Sequence, residues 1–232
     1  MQQYVARGVH GQTVEVLAQR ILTGQLGEGA TLDLTALQDE FDVSLTVLRE
    51  ALRVLAAKGM VDARPKRGTF VRPRADWNLL DADMLRWQFA RQERPTLFAD
   101  LHELRSIVEP GAASLAAARA TDDDVAALDK ALDAMAAAGA DASAAVSADL
   151  AFHRALLAAT HNELVLRMEI LIETGLAERD RMVHGADGTS DPVPSHRAVV
   201  EAIRRHDPDR AARAMGKLLE KAFEDLAKLE TS

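Results

Sequence analysis

Asp149 and His153 lie four residues apart in the run DLAFH, a spacing that puts a carboxylate and an imidazole on one face of a helix. The residues around them, Leu150, Leu156 and Leu157, are apolar. A carboxylate oxygen and a ring nitrogen so placed can grip one divalent ion. The same pair also reads as a plain polar contact between neighbouring turns, so a third donor is needed to decide. His196, beyond a Pro-rich loop, is the first candidate, ahead of His161, His184 and His206. His161-Asn162 looks like a helix break. His206 precedes Asp207-Pro208 at a helix junction, where a cap or surface role fits. A second pair, Arg105 and Glu109 in LHELRSIVEP, has the same spacing. Either it is an intrahelical ion pair, worth roughly a few tenths of a kcal/mol if exposed, or Arg105 faces a cavity and can fork onto a carboxylate.

Positioning these groups requires helices. From about Pro95 onwards the pattern is almost continuously helical. It predicts helices near 96–118, 121–138, 143–160, 162–183, 194–206 and 208–229. Thr121 with Asp124 resembles a capping box, Ser195 can cap near its helix, and Pro208 suits a first helical position. Asp187–Pro194 reads as a loop rich in Gly, Pro, Ser and Asp. These elements imply an antiparallel bundle of six or seven helices.

The first 74 residues have a different organisation. Val14, Leu17, Ala18 and Ile21 follow helical spacing, then GQLGEGA interrupts. A short helix follows, capped by Asp33, with Leu34, Leu37 and Phe41 on one face. Ser44 can cap a third helix whose buried stripe is Val47, Leu48, Ala51, Leu52 and Leu55, and Gly59 can end it. Two strand-like pieces, Met60–Ala63 and Thr69–Arg72, flank the turn Arg64–Gly68. That order is the order of a winged helix-turn-helix. The third helix would turn Thr46, Arg49 and Arg53 outward, and such a helix fits a major groove roughly 12 Å wide. The hairpin tip brings Lys66 and Arg67 beside Gly68, where a wing can approach a backbone closely.

Charge supports a polyanion partner. The 232-residue chain has a formal net charge of -8, yet residues 44–74 hold eight basic against two acidic side chains. Aromatics are only 4% and cysteine is absent, so a disulfide framework, thiolate metal sites and a cysteine nucleophile are excluded. The N-terminal residues lack the apolar region of a signal peptide, and no apolar run approaches the ~20 residues of a membrane span. A cytoplasmic protein without a membrane partner is the expectation. Between the two halves, VRPRADWNLLDADMLRWQ (71–88) places Trp77, Leu79, Leu80, Met84, Leu85 and Trp87 in a short amphipathic stretch. The expected division is therefore a DNA-binding domain over 1–74, a docked connector over 75–94 and an all-helical domain over 95–232.

Residues 13–71, above all VS (43–44), LREALRVLAAKGMV (48–61) and RGTFV (67–71), resemble the DNA-binding domain of the GntR family of bacterial regulators. Residues 96–228 resemble the ligand-sensing FCD domain of its FadR subfamily, through LRSIVEPGAASLAAARAT (104–121), ADLAFHRALLAATHN (148–162) and SHRAVVEAIRRHDPDRAARAM (195–215). The resemblance implies a homodimer reading a palindromic operator in double-stranded DNA, with Ser44, Thr46, Arg49, Arg53, Arg67 and Gly68 at the contact; charge adds Lys66. The family usually has arginine after VS, and this chain has Leu45. The resemblance also implies a divalent metal, with zinc as the expected ion, on Asp149, His153 and His196. A fourth ligand position falls at Leu218, which cannot coordinate. It further implies an organic-acid effector paired with Arg105, for which Thr174 and Arg179 on the 162–183 helix are further candidates that read equally as surface residues. The connector and the leucine at 218 resemble those of the family's galactonate-type sugar-acid repressors.

The expectation is thus a dimeric transcriptional regulator, a repressor released from DNA by an aldonic or related hydroxy acid. Two alternatives stay open. One is a metal-dependent enzyme acting on a hydroxy acid, against which stands the lack of an evident general base beside the proposed metal. The other is the same regulator with a metal-free pocket.

Overall fold

The computed structural model describes residues 8–89, 95–139, 141–173 and 191–230. The chain divides into two compact units, Met1–Arg91 and Gln92–Ser232.

The first unit opens with α1 (Gly8–Leu22), α2 (Leu34–Phe41) and α3 (Leu45–Ala57), followed by the antiparallel strands β1 (Val61–Arg64) and β2 (Gly68–Val71). The caps follow the sequence. Asp33 accepts from the amides of Thr35 and Ala36, and Ser44 accepts from that of Val47. The apolar spacing of each helix finds a single core. Val14, Leu17, Ala18 and Ile21 meet Leu37, and both meet Leu48, Ala51, Leu52 and Leu55. Leu34 and Phe41 pack at its edge, and Val47 is only half-buried. The hairpin register pairs Arg64 with Gly68 and Val61 with Val71, so the strands begin and end one residue away from the expected bounds. A third edge joins them: Thr31 bridges Phe70, and the Leu32 amide donates to the Thr69 carbonyl. No alternating pattern announces this edge, because it is a single bridge in a glycine-containing loop.

Residues 74–89 pack onto this unit. A 3-10 turn (Arg74–Asp76) leads to α4 (Ala82–Phe89), and Trp77, Met84 and Trp87 are buried in the same core. Lys58, next after α3, is buried with its Nζ 2.6 Å from Asp81 and 2.7 Å from Asp83. Arg86 reaches Glu15 of α1 at 2.6 Å.

The second unit comprises α5 (Pro95–Arg119), α6 (Asp122–Ala138), α7 (Ala142–Ala158), α8 (Glu163–Leu166), α9 (Val193–Arg204) and α10 (Pro208–Glu230). Thr121 and Asp124 form a reciprocal capping box on α6. Ser195 is not a cap: α9 begins at Val193, and Asp191 takes the Val193 amide instead. The expected continuous helix over 162–183 is broken after Leu166, where the Met168 and Leu171 amides bond three residues back rather than four. The shared core is aliphatic and rich in alanine. Ala113, Ala116 and Ala117 of α5 meet Leu128 and Leu132 of α6, Phe152 and Leu156 of α7, Val199 and Ile203 of α9, and Met215 and Leu218 of α10. Small side chains on α5 let its neighbours approach closely, as a chain poor in aromatics requires. No helix among the described residues is long and apolar enough to cross a membrane.

Candidate metal centre and nucleic-acid surface

Three helices of the second unit converge on one cluster. Asp149 and His153 come from α7, His196 from the first turns of α9, and Arg105 and Glu109 from α5. One donor atom each from Asp149, His153 and His196 lies within 4.8 Å of the others. His196 Nε2 is 2.9 Å from Asp149 Oδ1, and His153 Nε2 is 3.7 Å from the same oxygen. Two ligands each about 2 Å from one ion sit roughly 3–3.5 Å apart, so this spacing suits a shared cation.

The ring orientations point the same way. His196 Nδ1 is 2.8 Å from the Pro192 carbonyl, which can only accept, so Nδ1 carries the hydrogen. In the neutral ring Nε2 then offers a lone pair to the cluster. That nitrogen is buried and has no aligned hydrogen-bond partner, despite its closeness to Asp149. His153 Nδ1 stands 2.8 Å from Glu109 Oε2, again without good alignment. Phe152 presents its ring edge-on to both imidazoles, with centroids 5.5 and 4.6 Å away, and walls the cluster with hydrocarbon.

Arg105 and Glu109 are not a surface pair. Glu109 is fully buried and Arg105 is 9% exposed, with Nε 2.5 Å from Glu109 Oε1. Arg105 also brings Nη2 to 3.4 Å from His153 Nε2. Arg105 is thus an intrahelical partner of Glu109 that also borders the cluster. Burial alone would raise the Glu109 pKa, but Arg105 and His153 outweigh it and pull it down to about 2. Asp149 behaves likewise. Burial opposes its ionisation, and His196 at 2.9 Å, with His153 and Arg105, brings its pKa well below the usual carboxylate range. The contact between Glu109 and His153 had no signal in the sequence, since it joins α5 to α7 across the bundle.

The other candidates fall elsewhere. Leu218 is buried in the aliphatic core and supplies no donor. His161 pairs with Asp124 at 2.8 Å, and His206 Nδ1 donates to the Ala117 carbonyl. Both adopt φ of 50° at helix ends, as the sequence reading of a break and a junction requires. Thr174, Arg179 and His184 lie outside the described residues.

In the first unit Ser44, Thr46, Arg49 and Arg53 are exposed along the start and outer face of α3, and Lys66, Arg67 and Gly68 are exposed at the hairpin tip. Leu45, where the family usually has arginine, is half-buried. Two of the cations have intramolecular partners. Arg53 meets Glu50 at 2.5 Å while remaining 76% exposed. Arg67 lies 3.5 Å above the Phe70 ring and donates to the Gly29 carbonyl, which fixes the wing against the loop before α2. Lys66 adopts φ of 67°, a left-handed conformation that carries some steric cost in the turn.

Comparison with known proteins agrees with both units. Residues 10–71 match the model of the bacterial regulatory proteins of the gntR family, and residues 100–221 match the FCD domain. The galactonate operon transcriptional repressor of Escherichia coli K12 is 36% identical over 205 residues, covering 87% of this chain and 89% of that protein. The transcriptional repressor NanR of the same strain is 32% identical over 208 residues, covering 87% of this chain and 78% of its own. Among solved structures, the Streptococcus agalactiae GntR protein is 27% identical with a TM-score of 0.52, covering 96% of this chain and all (100%) of that one. These relatives are transcriptional regulators, not enzymes. The chain therefore belongs to the GntR family of DNA-binding bacterial regulators, with an FCD domain as its second unit.

Proposed function

We propose that the protein is a homodimeric repressor released from its operator by a sugar acid of the aldonate class, bound beside a divalent ion in the second unit. The observation that carries this reading is the junction of the half-buried Asp149 with the buried His153, His196 and Arg105. It offers a place for a cation and a guanidinium side by side, the pairing a small hydroxy acid needs. Asp149, His153 and His196 would hold the ion, and the bound ion would anchor the acid's carboxylate and α-hydroxyl as a Lewis acid. In this reading Arg105 pairs with the carboxylate. The relative that represses a galactonate operon supports the choice of aldonate.

At the other unit, α3 enters the major groove with Ser44, Thr46, Arg49 and Arg53, while Lys66, Arg67 and Gly68 follow the neighbouring backbone. Leu45 removes a cation from that surface, so the operator preference differs from that of relatives with arginine there. Release requires that the acid bind one arrangement of the dimer better than the other, and the shift cannot exceed that difference in affinity. Residues 75–94 transmit it.

A thermal-shift titration of the full chain with galactonate and related sugar acids, with and without a chelator, tests the reading. A galactonate-dependent rise that the chelator abolishes is the expected result. No rise with any sugar acid contradicts the effector class. A rise that survives the chelator, in protein that elemental analysis finds metal-free, replaces the ion with a purely hydrogen-bonded pocket. The direct 2.9 Å approach of His196 to Asp149 and the leucine at 218 are what that second arrangement would rest on.

A further inference from the structure

Glu109 is a buried carboxylate that neither the donor set nor the effector contact uses. Its two oxygens face different groups: Oε1 meets Arg105 Nε at 2.5 Å, and Oε2 lies 2.8 Å from His153 Nδ1, close but without good alignment. It lies on α5, whereas His153 lies on α7, so the contact ties two helices together at the cluster. An ionised carboxylate can only accept hydrogen bonds, and Arg105 can only donate them. The arrangement therefore places a hydrogen on Nδ1 of His153. Nε2, 3.7 Å from Asp149, is left as the lone-pair nitrogen.

We infer that Glu109 is the positioning residue of this centre: one oxygen orients His153 so that Nε2 faces the ion, while the other holds Arg105 beside it. The inference rests on the reading of Asp149, His153 and His196 as a donor set. His196 reaches the same state by a separate route, through the Pro192 carbonyl. The two imidazoles thus present equivalent nitrogens, one set by a backbone oxygen and one by a buried side chain. Partners of this kind fix the ring and raise its basicity, and their loss typically lowers metal affinity about 10–100-fold.

Glutamine at 109 has one acceptor and one donor group, so it cannot accept from Arg105 and His153 with separate oxygens. In Glu109→Gln, Arg105 keeps the carbonyl and the amide NH2 turns towards Nδ1. His153 then becomes the Nε2-protonated tautomer and loses its place as a ligand.

The test uses the full chain and Co²⁺ as the probe. Imidazole ¹⁵N chemical shifts of the metal-free protein report the His153 tautomer, with the resonance assigned by its loss in His153→Asn. Chelator competition gives the Co²⁺ affinity. Wild type with Nδ1 protonated, and Glu109→Gln with Nε2 protonated and Co²⁺ bound about 10–100-fold more weakly, is the expected result. Nε2 protonation in the wild type overturns the inference, and so does an unchanged Co²⁺ affinity in the variant. The wild-type spectrum decides the matter even where the variant does not fold. A wild type that binds no Co²⁺ yet holds the Nδ1 tautomer refutes the metal reading, while the role of Glu109 in orienting His153 stands.

Discussion

At the scale of single residues, Gly59 shows how closely a position can be prescribed. Its φ is 76°, and a Cβ there would lie 2.4 Å from the backbone oxygen of Asp76. The residue therefore ends α3 and admits the chain that leads to α4. Gly59→Ala should lose about 1–3 kcal/mol from backbone strain alone, with the clash adding to that. Urea unfolding of the full chain, followed by fluorescence of the two tryptophans, both in the first unit, would measure it. Arg53 illustrates the opposite case. It is 76% exposed and its partner Glu50 is a neighbour on the same helix, so its removal leaves the fold intact. Arg53→Ala should weaken operator binding by roughly 1–3 kcal/mol, the value of one bidentate base contact. Gel-shift titration at fixed salt checks this, and equal affinity would remove Arg53 from the contact.

At the scale of elements, the helix starts carry much of the legible information. Asp33, Ser44 and Thr121 cap where their side-chain chemistry allows, and Gly59 terminates where only a residue without a side chain fits. The bridge at Thr31 was not legible, because it pairs with Phe70, distant in sequence. The same holds for the site. Asp149 and His153 can be read from their spacing and His196 from the family resemblance, whereas the approach of His153 to Glu109 exists only once α5 lies against α7.

Two further predictions belong to this scale. Lys58 is the buried counter-charge of Asp81 and Asp83, and it fastens the end of α3 to the start of α4. Lys58→Met would remove the buried cation from two carboxylates, leaving Asp81 to the amides of Asp83 and Met84 and Asp83 to Arg86, and should destabilise the first unit by about 3 kcal/mol. Tryptophan-detected chemical denaturation would show it, and an unchanged midpoint would contradict it. The capping box of α6 should also respond to acid. Burial works against ionisation of Asp124, but the Thr121 amide and hydroxyl with His161 outweigh it and lower its pKa. A carboxyl lowered on folding contributes its full share above its unfolded value, and that share is lost as pH falls through the folded value. Thr121→Ala, expected to lose about 1 kcal/mol near neutral pH, should therefore lose less in strong acid, as paired denaturation curves would show.

At the scale of the whole molecule, an acidic chain carries an excess of positive charge over residues 44–74 of its first unit and gathers Asp149, His153 and His196 in the second. In the proposed reading, DNA contact and acid sensing fall to separate folding units, and regulation is the coupling between them. The most direct test is release of an operator fragment by galactonate, followed by fluorescence anisotropy, in wild type and in Arg105→Lys. Lysine keeps the charge that Glu109 needs but not the fork that grips a carboxylate. The account predicts equal operator affinity for both proteins without acid, and at least about tenfold more galactonate for release of the variant, the equivalent of one 1.4 kcal/mol contact. Release of both proteins at the same galactonate concentration would contradict it.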